Sequence, residues 1–107
     1  MLPKDERLAK ASDIRSTTRG NRNNTTLLSI FTCTNQTGKQ RIVVICKKEL
    51  GGAVKRNATR RALIAAYSNN RHKIAKNMDI VIIPKVPIAG LKAAEAAILD
   101  GMKIDHN

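Results

Sequence analysis

The sequence concentrates positive charge on one short segment, residues 53–61, which reads AVKRNATRR. Four Lys and Arg residues and one Asn share this segment, and it contains no Asp or Glu. At about 100° per residue on a helix, Arg56 and Arg60 lie one turn apart. Asn57 and Arg61 form the adjacent row. Guanidinium groups bind phosphate oxygens in pairs, so the segment predicts a polyanion site. The alternative is a basic face that only water covers.

The whole chain carries the same excess of positive charge. Its 107 residues include 20 Lys and Arg against 8 Asp and Glu, for a net charge of +12. A charge of this size favours nucleic acid as the partner and an anionic membrane as the second candidate. No apolar run approaches the ~20 residues that span a bilayer. The start, MLPKDERLAK, lacks the apolar segment of a secretory signal. We therefore expect a cytoplasmic protein with no membrane partner.

The residue types needed for catalysis or metal binding are sparse. Cys33 and Cys46 belong to no CxxC motif, and His72 and His106 have no zinc-site spacing. We expect two reduced thiols, although the cysteines could be neighbours if their strands pair as a hairpin. No carboxylate cluster that could bind two metal ions is evident. We predict no catalytic residue and no metal site in the protein itself.

Aromatic residues make up only 2% of the chain. Single-stranded RNA is usually bound by stacking bases on several aromatic rings. Any contacts with RNA should therefore be mostly phosphate and shape recognition.

The elements that must position the basic segment can be outlined from composition and periodicity. Residues 1–11 are expected to be a loose arm, and Ser12 is expected to cap a short helix. We predict that 20–26 is a loop and that 27–34 and 41–46 are strands that form a hairpin. Gly51 and Gly52 should allow a sharp reversal before the next helix.

The second half of the chain should contain two helices around one strand. The helix that begins at Ala53 is predicted to end near Tyr67, and residues 71–77 add a turn or two. The small residues of this helix are expected to face the sheet: Val54, Ala58, Ala62 and Ala65. The apolar run 79–83 before Pro84 is typical of a buried strand, and 90–102 reads as an amphipathic helix with Leu91, Ala94, Ile98 and Met102 on its apolar face. We therefore predict an α+β fold as a single domain over 1–107. Its sheet of about four strands is packed by helices, in the order α-β-β-(β)-α-β-α.

Residues 41–67, RIVVICKKELGGAVKRNATRRALIAAY, resemble the signature of the bacterial ribonuclease P protein. That signature is typically a GxAVxRNxxKR helix after a strand and a Lys-rich turn. LPKDERL followed by SDI is similar to the family's opening, and MDIVIIPK is similar to its DxVVIARK strand. The positions that match the helical motif are Gly51, Ala53, Val54, Arg56, Asn57, Arg60 and Arg61.

The resemblance implies the protein subunit of a tRNA-processing ribozyme. The RNA subunit would hold the magnesium ions and hydrolyse the 5′ leader of precursor tRNA, and no protein partner is implied. The protein would bind ribonuclease P RNA and grip the leader of precursor tRNA in a cleft beside the sheet. A left-handed βαβ crossover is also implied, against the usual rule. The residues implied to bind the catalytic RNA are Lys47, Lys48, Lys55, Arg56, Asn57, Arg60 and Arg61. Those implied for the leader cleft are Ile14, Thr18, Phe31 and Arg41.

The chain departs from the family pattern at several of these places. Ala58 and Ile64 stand where Arg is common, and Glu49 occupies a position that is usually basic. Ile14 and Thr18 replace the usual aromatic residues of the cleft. Phe31 is then the one aromatic residue left to stack on the leader.

Three other functions fit parts of the sequence. The first alternative is a small basic ribosomal or ribosome-associated protein, which co-purifying RNA would distinguish. A helix-turn-helix regulator would use 53–67 and 71–77, but strands flank these segments. A stand-alone nuclease lacks the residues for catalysis.

Overall fold

The structure is a computed structural model that describes residues 4–102. One four-stranded sheet has the order β1-β2-β4-β3. Its strands are β1 (Asn21–Asn24), β2 (Leu28–Thr34), β3 (Arg41–Val44) and β4 (Met78–Pro84). The helices are α1 (Ala11–Thr18), α2 (Ala53–Asn70) and α3 (Leu91–Gly101), and 3₁₀ turns cover Lys4–Glu6, Lys48–Leu50 and Arg71–Lys73. The predicted α+β class and the four-stranded sheet packed by helices are confirmed.

The predicted hairpin of β2 and β3 is wrong, because β4 lies between these strands. β4 pairs antiparallel with β2 and parallel with β3, so that Val81 is opposite both Phe31 and Val43. An apolar strand such as β4 is most stable at the centre of a sheet, where both faces are covered. Cys33 consequently lies opposite Asp79, and Cys46 follows the end of β3. The two cysteine thiols are free, and they are not neighbours across a ladder.

The predicted loop at 20–26 contains an edge strand. β1 pairs antiparallel with β2 even though its sequence, NRNN, has low strand propensity. Three of its four side chains are exposed, so pairing with β2 rather than burial holds it. Gly20 permits this approach, because a Cβ atom there would lie 2.4 Å from the Thr32 carbonyl oxygen.

The expected loose arm is packed over its described part, residues 4–11, while residues 1–3 lie outside the described residues. Leu8 is buried, and its N–H donates to the Ile42 carbonyl oxygen at 3.0 Å. The Glu6 carboxylate accepts a hydrogen bond from Arg71 at 2.6 Å. Ser12 does not cap α1, since Lys10 occupies the N-cap position and no side chain caps it. An apolar residue inside a polar segment thus anchors the chain to the sheet.

The sheet has a larger core on one face and a smaller one on the other. α2 and α3 cover the face that carries Ile30, Ile42, Ile80 and Ile82. The N-terminal segment and α1 cover the opposite face, where Leu8, Phe31 and Val81 form the smaller cluster. The α3 stripe is buried at Ala94 and Ile98, but Leu91 is 43% exposed.

The buried arc of α2 differs from the predicted one. Val54, Ala58 and Ala65 are exposed, and Val54 is 81% exposed. The helix also continues past the predicted stop, because the Asn70 amide donates to the Ala66 carbonyl and to Glu95. Large side chains bury more apolar area than alanines, so they decide which arc packs. The residues that are buried are Thr59, Leu63, Ala66, Tyr67 and Asn70.

The connection from β3 through α2 to β4 forms the βαβ unit of the fold, and its left hand stays a prediction. The helix-turn-helix alternative is wrong, because residues 71–73 form a single 3₁₀ turn and the chain then enters β4.

Candidate nucleic-acid interface

The first half of α2 carries the predicted cations. Lys55, Asn57 and Arg61 are exposed, whereas Arg56 and Arg60 are half-buried beside the end of β3. Arg60 Nη1 donates to Asn57 Oδ1 at 3.0 Å, and Arg61 Nε donates to the Asn57 carbonyl oxygen at 3.4 Å. Asn57 therefore organises both guanidinium groups. We call Lys47, Lys48, Lys55, Arg56, Asn57, Arg60 and Arg61 the basic face.

The turn before α2 adds positive potential at the helix N-terminus. Lys47 and Lys48 are exposed there, and Gly51 has φ +133°, a conformation that L side chains rarely adopt. Gly52 is the N-cap residue, and no side chain caps the first N–H groups. A Cβ atom at Gly52 would meet only open space. The positive end of the helix dipole is thus open to an incoming anion.

The basic face has no acidic partner within the part of the chain that the structure describes. The ion pairs among residues 4–102 use other cations: Lys39 with Asp5, Arg41 with Asp13 and Asp79, and Arg71 with Glu6. Arg56 Nε is buried and has no hydrogen-bond partner among the described residues. The surface therefore holds uncompensated charge, the condition in which a polyanion gains most by binding.

Cys46 lies against this surface. Burial raises the pKa of its thiol, and the positive charges of Arg60 and Arg56 partly oppose that rise. The thiol donates to the Arg56 carbonyl oxygen at 3.6 Å. Its protonated state and its contact with the helix backbone indicate a packing role.

The predicted leader-cleft residues separate in the structure. Phe31 is 9% exposed and lines a cavity of about 370 Å³ together with Arg22, Lys47 and Lys85. Ile14 packs in the same apolar cluster but lines a different groove. Thr18 donates to the Arg15 carbonyl within α1, and its buried neighbour is Thr17.

Sequence reasoning missed Arg22, whose guanidinium lies 5.5 Å from the centre of the Phe31 ring. This geometry is a cation–π contact. Because residues 20–26 were predicted to be a loop, no contact between Arg22 and Phe31 was expected. The pairing of β1 with β2 is what places Arg22 opposite Phe31. The charge of Arg22 was the available signal.

Arg41, the fourth predicted leader-cleft residue, lies in an ion-pair network. Its Nε and Nη2 atoms donate to the two oxygens of Asp79 at 2.8 and 2.7 Å, and Nη1 lies 3.4 Å from Asp13. The hydrogen bond to Asp79 is the main reason that the pKa of Arg41 rises above its usual value. Asn35 donates to the same carboxylate at 2.7 Å. The network joins α1, β3 and β4.

A larger groove of about 750 Å³ opens between α2 and the outer edge of β3. We call it the β3 groove. Arg60, Arg61 and Ile64 line it from α2, and Val43 and Val44 line it from the strand. Sequence reasoning did not find this groove, since it depends on the sheet order.

Over residues 4–102, no group of three or more His, Cys, Asp and Glu side chains could hold a metal ion. His106 lies outside the described residues. In the same part of the chain, no helix is both long and apolar enough to cross a membrane.

Known proteins that are similar to this chain in sequence or in structure are all ribonuclease P proteins in the three comparisons that follow. The ribonuclease P family model matches residues 2–100. The chain is 34% identical over 95 residues to the ribonuclease P protein component of Desulforapulum autotrophicum. The aligned region covers 88% of this chain and 81% of the relative. The RNase P protein of Staphylococcus aureus superposes with a TM-score of 0.81 at 22% identity, over 92% of this chain and 93% of that one. The RNase P protein of Thermotoga maritima gives a TM-score of 0.68 at 26% identity, over 75% and 74% of the two chains.

Arg41→Met should destabilise the fold, because it leaves the Asp79 carboxylate without its cation. The Asp79 side chain is only 8% exposed, so the loss should be about 3 kcal/mol, measured by urea unfolding. Adding Asp79→Asn should recover part of it. Lys39→Met, which breaks the exposed pair with Asp5, is the matched control and should change stability little. A stable Arg41→Met variant that binds precursor tRNA poorly would instead assign Arg41 to the leader.

Proposed function

The chain belongs to the ribonuclease P protein family, and from that premise we propose that it is the RNA-binding subunit of the endoribonuclease. In this proposal it binds ribonuclease P RNA through the basic face and contacts the 5′ leader of precursor tRNA. It thereby assists RNA-catalysed removal of the leader in the cytoplasm. The family match weighs against the ribosomal alternative.

The uncompensated charge of the basic face carries this proposal. A fold that needed these cations for stability would pair them with carboxylates, as it pairs Arg41 and Arg71. On α2 the cations repel one another instead, at roughly 0.2–0.5 kcal/mol for a like pair four residues apart. Phosphates of a bound RNA would remove this repulsion, and counterion release would add to the affinity.

The family resemblance implies the division of labour, in which the RNA subunit would hold the magnesium ions. The protein would supply positive charge, which lowers the magnesium concentration that the folded RNA and its substrate require. Hydrolysis would remain with the RNA.

The cavity beside Phe31 is the place we assign to the leader. Arg22, Lys47, Lys85 and one carboxylate, Glu49, line this cavity beside the Phe31 side chain, which is 9% exposed. A base could stack on the ring edge while the cations bind the flanking phosphates. Lys47 also belongs to the basic face, so the two RNA-binding surfaces would be continuous there.

The protein freed of RNA should not cleave precursor tRNA at any magnesium concentration. Adding it to ribonuclease P RNA transcribed from the same genome should restore cleavage at low magnesium, where that RNA alone is inactive. The measurement is the initial rate at the mature 5′ end across a magnesium titration. Magnesium-dependent cleavage by the RNA-free protein would overturn the proposal.

Arg60→Gln and Arg61→Gln should each weaken binding to ribonuclease P RNA without unfolding the protein. The slope of log affinity against log salt should shrink by about 0.7–0.9 for each lost phosphate contact. Lys92→Gln removes an exposed cation from α3 and serves as the control, with an unchanged slope. Ala58→Arg should steepen the slope, because Ala58 is exposed and does not pack on the sheet. Unchanged slopes for both Gln variants would mean that the face carries only solvated charge.

Phe31→Leu should reduce the preference of the assembled enzyme for precursor over mature tRNA. Removal of the ring edge should cost about 1 kcal/mol, roughly fivefold in relative affinity. Ile30→Val, which thins the core on the opposite face of β2, controls for stability and should leave the preference unchanged. If both variants lose stability but keep the wild-type preference, Phe31 serves the core alone.

A further inference from the structure

The β3 groove has apolar walls that the fold leaves half-covered. Ile14, Val43 and Ile64 line it, and each of these side chains is only partly buried. Leu8, from the N-terminal segment, also lines the groove. A volume of about 750 Å³ is within the range of cavities that hold small ligands or single residues of a partner. The ribonuclease P protein family commonly has Arg at the position of Ile64, so this chain has an aliphatic side chain where the family has a cation.

Among the described residues, the charged side chains that line the groove are all cations. Arg60 and Arg61 stand on its α2 side, Arg7 contributes from the N-terminal segment, and within residues 4–102 no carboxylate lines it. A ligand that fits this groove must have a flat apolar part that contacts the aliphatic side chains and a negative charge that reaches the arginines. A nucleotide has this combination, because its base can lie between apolar side chains while its phosphate meets a guanidinium.

The backbone of β3 adds polar groups on the same side. Ile45 N–H donates to the Ile82 carbonyl of β4 at 2.9 Å, whereas Leu8 N–H donates to Ile42 from the opposite side at 3.0 Å. Because N–H and C=O directions alternate along a strand, those of Val44 point away from β4, toward the groove. Within the described residues, the N-terminal segment bridges to β3 only at Ile42. Val44 thus offers a donor and an acceptor to the edge of a base.

We propose that the β3 groove holds one unpaired nucleotide of ribonuclease P RNA, with its base between Ile64 and Val43 and its phosphate on Arg60 or Arg61. This inference rests on the proposed function, since Arg60 and Arg61 also belong to the basic face. The continuity of the groove with that face assigns the nucleotide to the catalytic RNA rather than to the leader. A peptide strand added to β3 is disfavoured, because it would leave Arg60 and Arg61 without a counter-charge unless it were acidic.

Filling the groove tests the proposal. Ala65→Trp and Ala9→Trp each place an indole at the groove, from α2 and from the N-terminal segment respectively, and both alanines are exposed. Each should weaken binding to ribonuclease P RNA roughly tenfold, the expected value of one stacked base. The loss should be similar at low and high salt. Ala96→Trp on the exposed side of α3 is the matched control and should bind like wild type.

A photoreactive benzoylphenylalanine at Ser68 gives a second readout that does not depend on affinity. It should cross-link to one unpaired nucleotide of ribonuclease P RNA, and Ala9→Trp should abolish that cross-link. Cross-linking to the leader of precursor tRNA or to a peptide, or wild-type affinity for both groove-filling variants, would overturn the inference.

Failure of the parent proposal has a different outcome. If wild type does not bind ribonuclease P RNA, or if the Arg60 and Arg61 variants bind it with an unchanged salt slope, the proposed function fails. If those variants weaken binding while the filled groove does not, only the groove assignment fails.

Discussion

β4 is apolar on both of its faces, so both sides of the sheet must be covered along its length. Ile80 and Ile82 point toward α2 and α3, while Val81 points toward α1 and the N-terminal segment. This requirement places β4 between two other strands. A parallel partner on one side then needs a crossover connection, and α2 supplies it. The antiparallel partner, β2, brings Phe31 onto the face that α1 covers.

The β3–α2–β4 crossover also determines the position of the cations of α2. In a parallel unit the connecting helix begins at the carboxyl end of the first strand, so the N-terminus of α2 lies just beyond β3. The anchoring contacts of α2 concentrate toward its other end, where Tyr67 donates to the buried Gln40 side chain at 2.6 Å. Gln40 in turn donates to the carbonyls of Arg71 and Ile74. Within residues 53–60 Thr59 is the one fully buried residue, so the first two turns of α2 are left to carry cations.

Sequence patterns predicted the features that local chemistry controls. The apolar run at 79–83, the long helix from Ala53 and the basic segment follow from composition and periodicity. The order of the strands does not, because β2 and β3 are close in sequence and nothing local shows that a strand from the second half separates them. β1 has no strand propensity of its own and is held by β2. The buried arc of α2 was missed because the alanine spacing was weighted above the larger Leu63 and Tyr67.

The same nonlocal limit applies to the candidate sites, and the N-terminal segment shows why. Leu8 lines the β3 groove and packs against Phe31 on the cleft side, so one residue supports both surfaces. Ion pairs of Glu6 and Asp13 also hold this part of the chain, while the exposed pair of Asp5 with Lys39 contributes little to stability. Complete burial of a leucine contributes about 1.5–3 kcal/mol, so Leu8 is a main part of the anchoring. Asp5, Glu6 and Asp13 pair with cations outside the first half of α2. The basic face therefore keeps the positive charge that an RNA partner would neutralise.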